Sequence, residues 1–387
     1  MAMPMRQSVR LGAYLMKQKI KRVDKFPLLV ELEPLFACNL KCNGCGKIQQ
    51  PAALLKQRMP VEQAVGAIME SGAPMVSIAG GEPLMHPQIE QIVQELLDRN
   101  KIVFLCTNAV LLPKHIHKFS PHKNFAWMVH IDGLRERHDA SVSKDGVFDQ
   151  AVAAIEQAKK LGFRVNTNTT FFDTDTPPRT SSTCWTSSTT TSASTTCRSP
   201  PGYAYEKAPD QEHWLGVEQT RELFRKAFDG GRRKKWRLNH SPVFLDFLEG
   251  KVDLNCTAWA IPSYSLLGWQ KPCYLLDDGY VSTYRELIDE TDWDAFGRGA
   301  RTNGAPTAWR TADTSRQQSS RRWGGRCASH SARRPEAEGG SPRSARPGGA
   351  PQFGRRPRYL LVTGGVVMLR RPPTGEADRA NAGPPPA

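Results

Sequence analysis

Phe26-Pro-Leu-Leu-Val-Glu-Leu-Glu-Pro-Leu-Phe-Ala-Cys38-Asn-Leu-Lys-Cys42-Asn-Gly-Cys45 is the stretch on which the reading of this chain turns. An apolar run at residues 28–32, long enough for one strand, leads into three cysteines spaced C-x3-C-x2-C. Short apolar or β-branched runs recur at 75–78, 102–106, 125–131 and 164–170. Amphipathic helical patterns separate them. One carries Val61, Val65, Ile68 and Met69 and stops before Gly72; a second carries Ile89, Ile92, Val93, Leu96 and Leu97. A third carries Phe148, Val152 and Ile155 and stops near Gly162. Apolar residues at i, i+3, i+4 and i+7 followed by glycine describe helices with one core-facing stripe and a defined stop. Repeated β-α units predict an α/β fold with a parallel sheet, open or closed into a full or partial barrel, with its chemistry at the C-terminal strand ends.

The composition agrees with a soluble globular protein. The chain has 387 residues, 39% of them hydrophobic and 24% charged. No run approaches the roughly 18 apolar residues of a membrane span; the apolar stretch at 359–369 is too short. The start, with Arg6 and Arg10 and no unbroken apolar core, is a poor secretory signal, so a cytoplasmic place is expected. Nine cysteines, three of them between Cys38 and Cys45, suggest metal chemistry in a reducing compartment rather than a disulfide framework. The net charge of +15 is concentrated in one segment: from Arg298 onward there are 17 Arg, no Lys and 5 acidic residues. The rest of the chain is close to balanced, so nucleic acid is not an expected partner.

Two stretches break the β-α pattern. Between Pro177 and Ser199, 15 of 23 residues are Ser or Thr, and from about Arg298 the chain is rich in Arg, Gly, Pro and Ser. One reading is linker and low-complexity tail. Another is translation out of frame. If each true codon takes the last base of one observed codon and the first two of the next, apolar residues return at Ser181, Cys184, Trp185, Ser188, Ser192 and Ser194. The same shift turns Ala305, Ala308 and Ala312 into C-x2-C-x3-C. One shift repairing both stretches favours the second reading. The expected organisation is an amphipathic N-terminal helix at 1–25, a barrel at 26–235 with 177–199 anomalous, a C-terminal auxiliary region at 236–296, and a tail at 297–387.

Three thiolates on one short loop can hold three irons of a [4Fe-4S] cube and leave the fourth open to a chelating ligand. A structural zinc site is the competing reading, but it would need a fourth ligand, and His86 is far along the chain. The second signal is Ala79-Gly80-Gly81-Glu82-Pro83, directly after the second strand. Paired glycines allow close backbone approach, and a Glu offers an acceptor to an ammonium group. Cys106 ends the third strand, where a thiol could donate a hydrogen atom; a buried core cysteine is the plain alternative. His130, Asp132 and Asn168 fall at later strand ends and could contact ribose, adenine or carboxylate, or equally serve as loop caps. Cys256 and Cys273 could begin an auxiliary cluster or remain free thiols.

The C-x3-C-x2-C loop and the Gly-Gly-Glu-Pro turn resemble the radical S-adenosylmethionine (SAM) superfamily. That resemblance implies a partial (β/α)6 TIM-like barrel, a cluster ligated by Cys38, Cys42 and Cys45, and SAM held with help from Gly80, Gly81, Glu82 and Pro83. Five further stretches, Cys45-Gly-Lys-Ile-Gln, Thr107-Asn108-Ala109, Val129-His-Ile-Asp-Gly-Leu-Arg, Gly202-Tyr-Ala-Tyr-Glu-Lys-Ala-Pro-Asp and Gly268-Trp-Gln-Lys-Pro-Cys-Tyr, are similar to the adenosylhopane synthase family of hopanoid biosynthesis. This second resemblance covers about residues 1–176 and 200–296. It implies addition of a 5′-deoxyadenosyl radical to the alkene of diploptene, an electron donor such as flavodoxin or ferredoxin, and cofactor contacts at Thr107 and Asn108. The alternatives are a peptide-modifying radical SAM enzyme with auxiliary clusters, or a frameshifted noncatalytic product. Residues 5–22 mix apolar and basic side chains, so they read either as a helix on an anionic bilayer, at the inner face of the membrane, or as a helix packed across the barrel bottom.

Overall fold

A computed structural model describes residues 4–171, 206–210, 214–229, 240–276 and 278–296, single positions at 212 and 238, and strands at 196–198, 360–363 and 366–370. Most of the Ser/Thr-rich stretch and most of the Arg-rich tail lie outside these residues.

The five expected strands form where the apolar runs placed them: β1 (Leu29–Glu33), β2 (Met75–Ile78), β3 (Ile102–Thr107), β4 (Phe125–His130) and β5 (Val165–Asn168). They pair in parallel in that order, and β6 (Thr196–Arg198) continues the row beside β5. The helix α1 is Met5–Ile20. Between the strands run α2 (Val61–Ser71), α3 (Ile89–Asp98), α4 (Arg135–Ser141) and α5 (Val147–Lys160). Gly72 closes α2 at φ +70°, the left-handed conformation that glycine adopts without a Cβ penalty.

The period-2 alternation of each strand divides two apolar layers. Val103 and Leu105 of β3, with Phe125, Trp127 and Val129 of β4, face the helices and pack with Ile68, Ile92 and Ile155. Ile102, Phe104 and Cys106, with Ala126 and Met128, face the other way, into the concave interior. The sheet is therefore the wall of a partial barrel.

The second half of the chain completes that wall. Helices α6 (Val217–Phe228) and α7 (Pro242–Leu248) pack on each other around Phe224, Phe228, Phe244 and Leu248. After β7 (Leu254–Cys256), the strand β8 (Ser263–Ser265) lies parallel to β1, with Glu31 beside Ser263. Then β9 (Gly268–Gln270) and β10 (Tyr280–Val281) extend the edge in antiparallel fashion, and α8 (Tyr284–Glu290) follows. Within residues 236–296, the expected C-terminal auxiliary region, β8, β9 and β10 thus join the barrel sheet. Within the tail, β11 (Leu360–Thr363) and β12 (Val366–Arg370) pair with each other, and β12 pairs with β7. No helix among the described residues is long and apolar enough to cross a membrane.

Candidate functional site

The cysteine loop starts where β1 ends and is held to the fold at its entry, its middle and its exit. At the entry, Gly81 N donates to Leu35 O (3.0 Å) and Glu82 N to Ala37 O (2.9 Å), so the Gly-Gly-Glu turn is laced to the segment that delivers Cys38. Both glycines are required by packing. Gly80 sits at φ +102°, and a Cβ on Gly81 would overlap the carbonyls of Phe36 and Ala37. At the middle, Asn108 Nδ2 donates to Asn39 Oδ1 (2.8 Å), and Asn43 N donates to Ser141 O (3.2 Å). Ser143 Oγ also donates to Asn43 Oδ1 (2.7 Å). At the exit, Lys47 pairs with the buried Glu33 of β1, and its ammonium lies 5.3 Å from the Tyr274 ring centroid.

Cys38, Cys42 and Cys45 are free thiols, each partly exposed, on this pinned loop. Their charges reach one another: burial first, then the neighbouring thiols, push Cys42 up to about 12. Burial, opposed in part by the Leu40 N–H, pushes Cys38 up to about 11. Leu40 N (3.4 Å) and Asn108 Nδ2 (3.9 Å) both donate to Cys38 Sγ, an arrangement that suits a thiolate once a metal has displaced its proton. Among the described residues no three Cys, His, Asp or Glu side chains close tightly on a single ion point. Three soft thiol donors on one short loop, close enough for their charges to act on one another, are the donor set an iron–sulfur cluster uses.

Glu82 differs from its expected role as an open acceptor for an ammonium group. It is 1% exposed; Oε1 accepts from Leu84 N (3.1 Å) and Thr107 Oγ1 (2.9 Å), and Oε2 accepts from Asn108 N (2.8 Å). Burial outweighs these donors and pushes its carboxyl up to about 7. Its geometry is that of a clamp between the Gly-Gly turn and the end of β3. Thr107 is buried in the same clamp and accepts from Ala109 N (2.9 Å), while Pro83 is buried at the start of a short 3-10 turn.

At the end of β4, His130 Nε2 meets Asp132 Oδ2 at 2.9 Å, and the two charge states support each other. Burial opposes both charges, but Asp132 raises His130 and His130 lowers Asp132. Asp132 also accepts from Ser141 Oγ (3.1 Å) and Thr170 N (2.9 Å), which makes it a satisfied interior group that fixes loops. His130 and Asn168 are neighbours in the β4–β5 register and both are partly exposed. Cys106 faces the interior with Ser77 Oγ 3.4 Å from its Sγ. Cys256 and Cys273 are free and pushed up by burial, to about 12 and about 11, with Cys273 adding to the effect on Cys256.

Sequence reasoning did not find Asn39, Ser77, Ser141 or His138. Asn39 lies inside the quoted loop, and period-2 alternation places Ser77 on the same face as Cys106. His138 is fully buried, accepts from Asp132 N at Nδ1 (3.2 Å) and lies tilted against His130 with ring centroids 5.7 Å apart; nothing in its sequence context marks it.

Residues 32–179 match the family model "Radical SAM superfamily". This segment is a radical SAM superfamily domain. Members of the superfamily are enzymes that use a [4Fe-4S] cluster and SAM together with a reductant. Residues 198–308 match "Domain of unknown function (DUF3463)", so neither match covers 180–197. The chain is 31% identical over 149 residues to the AdoMet-dependent heme synthase of Methanosarcina barkeri, covering 37% of this chain and 42% of that protein. It is 27% identical over 139 residues to the GTP 3′,8-cyclase of Aquifex aeolicus, 34% and 43% of the two chains. The chain therefore spans less than half the length of these curated relatives. Among solved structures, Streptococcus suis SuiB bound to S-adenosylmethionine superposes with a TM-score of 0.52 at 15% identity, over 66% of this chain and 62% of SuiB. Histidine-tagged anSMEcpe with bound AdoMet gives 0.52 at 18% identity, over 68% and 76%. These likenesses establish the partial barrel.

Proposed function

We propose that the chain, read in its correct frame, is an adenosyl transferase that forms a carbon–carbon bond with the terminal alkene of a hydrophobic polycycle, diploptene. In this reading Cys38, Cys42 and Cys45 hold the cluster, and the Gly80–Gly81 backbone with His130 and Asn168 lines the SAM side of the interior. When bound, the cluster and SAM would supply a 5′-deoxyadenosyl radical for addition at the alkene CH2, an addition that leaves one hydrogen atom still to be delivered. The chain's own residues hold that carbon in near-attack geometry, keep other C–H bonds away and deliver one hydrogen atom. Cys106 gives that atom: S–H breaks, C–H forms, and the resulting thiyl is returned to thiol by one electron from the external reductant, flavodoxin or ferredoxin, and one proton from water. Ser77, at 3.4 Å, orients the thiol.

The observation that carries this reading is Cys106, a partly exposed thiol at the end of β3 on the interior face, with Phe104, Ala126, Met128 and Met75 packed beneath it. A hydrogen donor standing over apolar side chains suits a carbon radical on an apolar substrate. A peptide substrate is the competing reading.

The test uses frame-corrected, anaerobically reconstituted enzyme with SAM, reductant and diploptene. A saturated adenosylated triterpene is expected by mass spectrometry, and in D2O it carries one deuterium from the exchanged thiol. Cys106→Ala should still make 5′-deoxyadenosine but lose that adduct. Release of 5′-deoxyadenosine with the alkene recovered unchanged rejects the reading and favours a peptide substrate. Genomic sequence across codons 174–201 and 296–315 tests the frame; codons that cannot yield C-x2-C-x3-C on shifting reject it.

A further inference from the structure

Helix α1 has two apolar faces, and the fold uses one. Leu11, Tyr14 and Leu15 pack on the inner barrel cluster at its N-terminal end. That face is fastened by Tyr14 Oη donating to Pro27 O (2.7 Å), Gln7 Nε2 to Lys123 O (2.8 Å) and Arg10 Nη1 to Asn100 Oδ1 (3.0 Å). On the outer face, Met5, Val9, Met16 and Ile20 are 80%, 64%, 57% and 74% exposed, and Val23 extends the line. At 100° per residue these four helical positions fall within one narrow stripe. Residues 5–23 supply five of the eight large apolar side chains exposed among the described residues, so the stripe is a concentrated patch rather than scattered surface.

The charges beside the stripe indicate what covers it. Arg6 and Lys17 flank it on one side and Lys19 on the other, all exposed, and Lys21, Arg22 and Lys25 follow, with Asp24 the single acidic residue among them. No acidic residue occurs in Met5–Ile20. A second copy of the chain docked on this stripe would set the helix cations against their own equivalents with no counter-charge on the helix itself. An anionic surface with an apolar layer beneath it satisfies both features.

We infer that α1 is a membrane-docking helix that lays Met5, Val9, Met16 and Ile20 into an anionic lipid surface while its inner face stays packed on the barrel. The Lys123 and Asn100 contacts place α1 at the N-terminal strand ends, opposite the cysteine loop. The docked protein therefore keeps its thiol loop turned toward water, where a reductant protein can reach it. The inference does not depend on the reaction proposed above.

Vesicle co-sedimentation of the full chain tests it without turnover. Binding is expected to phosphatidylcholine vesicles containing phosphatidylglycerol, to fall steeply with salt, and to be weak on phosphatidylcholine alone. Met16→Glu with Ile20→Glu should lower the partition coefficient by at least about tenfold, with circular dichroism unchanged because both side chains already face solvent. Should that pair disturb folding, Met16→Gln with Ile20→Gln replaces it and the same loss is expected. Lys17→Gln with Lys19→Gln should reduce both binding and its salt dependence. Equal sedimentation of wild type and apolar-stripe variants, or none by wild type on phosphatidylglycerol vesicles, overturns the inference. A dimer in sedimentation velocity that the stripe variants dissolve assigns the face to a second copy and overturns it as well.

Discussion

Replacing Gly81 by Ala should damage this protein out of proportion to one methyl group. The added Cβ meets the Ala37 carbonyl and lies 2.6 Å from Phe36 O, and both obstacles are backbone. Relief requires the Gly-Gly-Glu turn and the 35–37 segment to separate, which breaks Gly81 N to Leu35 O and Glu82 N to Ala37 O. Two buried backbone hydrogen bonds at about 1 kcal/mol each, with about 1–3 kcal/mol for overpacking, give a loss of roughly 3–5 kcal/mol. That is a large share of the ~5–15 kcal/mol typical of a domain. The displaced segment leads directly to Cys38, so iron loading should fall as well. Gly66→Ala is the matched control: it lies within α2 with nothing within 4 Å of a built Cβ and should stabilise by about 0.5–1 kcal/mol. Urea melts of the metal-free protein, with iron and sulfide counted after anaerobic reconstitution, give both readouts. Gly81→Ala losing under about 1 kcal/mol and loading iron like wild type would refute the claim that this turn positions the cysteine loop.

Other perturbations follow from the same contacts. His138 is pushed down to about 4 by burial and by the His130 charge. The unfolded chain therefore binds more protons between about pH 6.5 and 4, and on acidification stability should fall through that window by up to ~3 kcal/mol. His138→Gln should flatten this part of the pH profile in urea melts, and an unchanged profile would show that other groups carry it. Trp269→Ala should cost about 3–5 kcal/mol, since Trp269 is fully buried against Tyr264 and Tyr284 and its Nε1 donates to Glu70 Oε2 (3.3 Å). Retention of the wild-type melting curve would place that hairpin outside the cooperative unit. Asn108→Ala removes the bridge to Asn39 and a donor to Cys38 Sγ, so reconstituted protein should lose iron faster to a chelator than wild type; equal loss would count against a role in holding the loop.

The β1–β5 half of the barrel was legible because each strand is a compact apolar run and each helix keeps one stripe. Even the inward direction of Cys106 follows from the alternation of Ile102, Phe104 and Cys106. The C-terminal closure was not legible. Strands β8 and β9 have three residues each, too few for a period to register, and the turn between Ser265 and Gly268 is Leu266–Leu267 rather than a typical turn pair. Gly268, at φ +102° under the Val281 carbonyl, was the one local cue. For Glu82 the residue type reveals an acceptor, but two of its three donors come from Thr107 and Asn108 at the end of another strand. Burial and partner choice of that kind are set by the sheet register, which no single segment encodes.

Strand β1 acquires its β8 neighbour only after about 230 further residues have been made, at synthesis rates of about 5–20 residues per second. For something on the order of 10–50 s, the Leu29–Glu33 edge that launches the cysteine loop stands bare on the ribosome. An open, apolar edge invites pairing with another nascent chain. Charged Glu31 and Glu33, both facing the interior, interrupt that edge and make it a poorer template for aggregation. The same carboxylate that later anchors Lys47 thus guards the strand while its proper neighbour is still being synthesised.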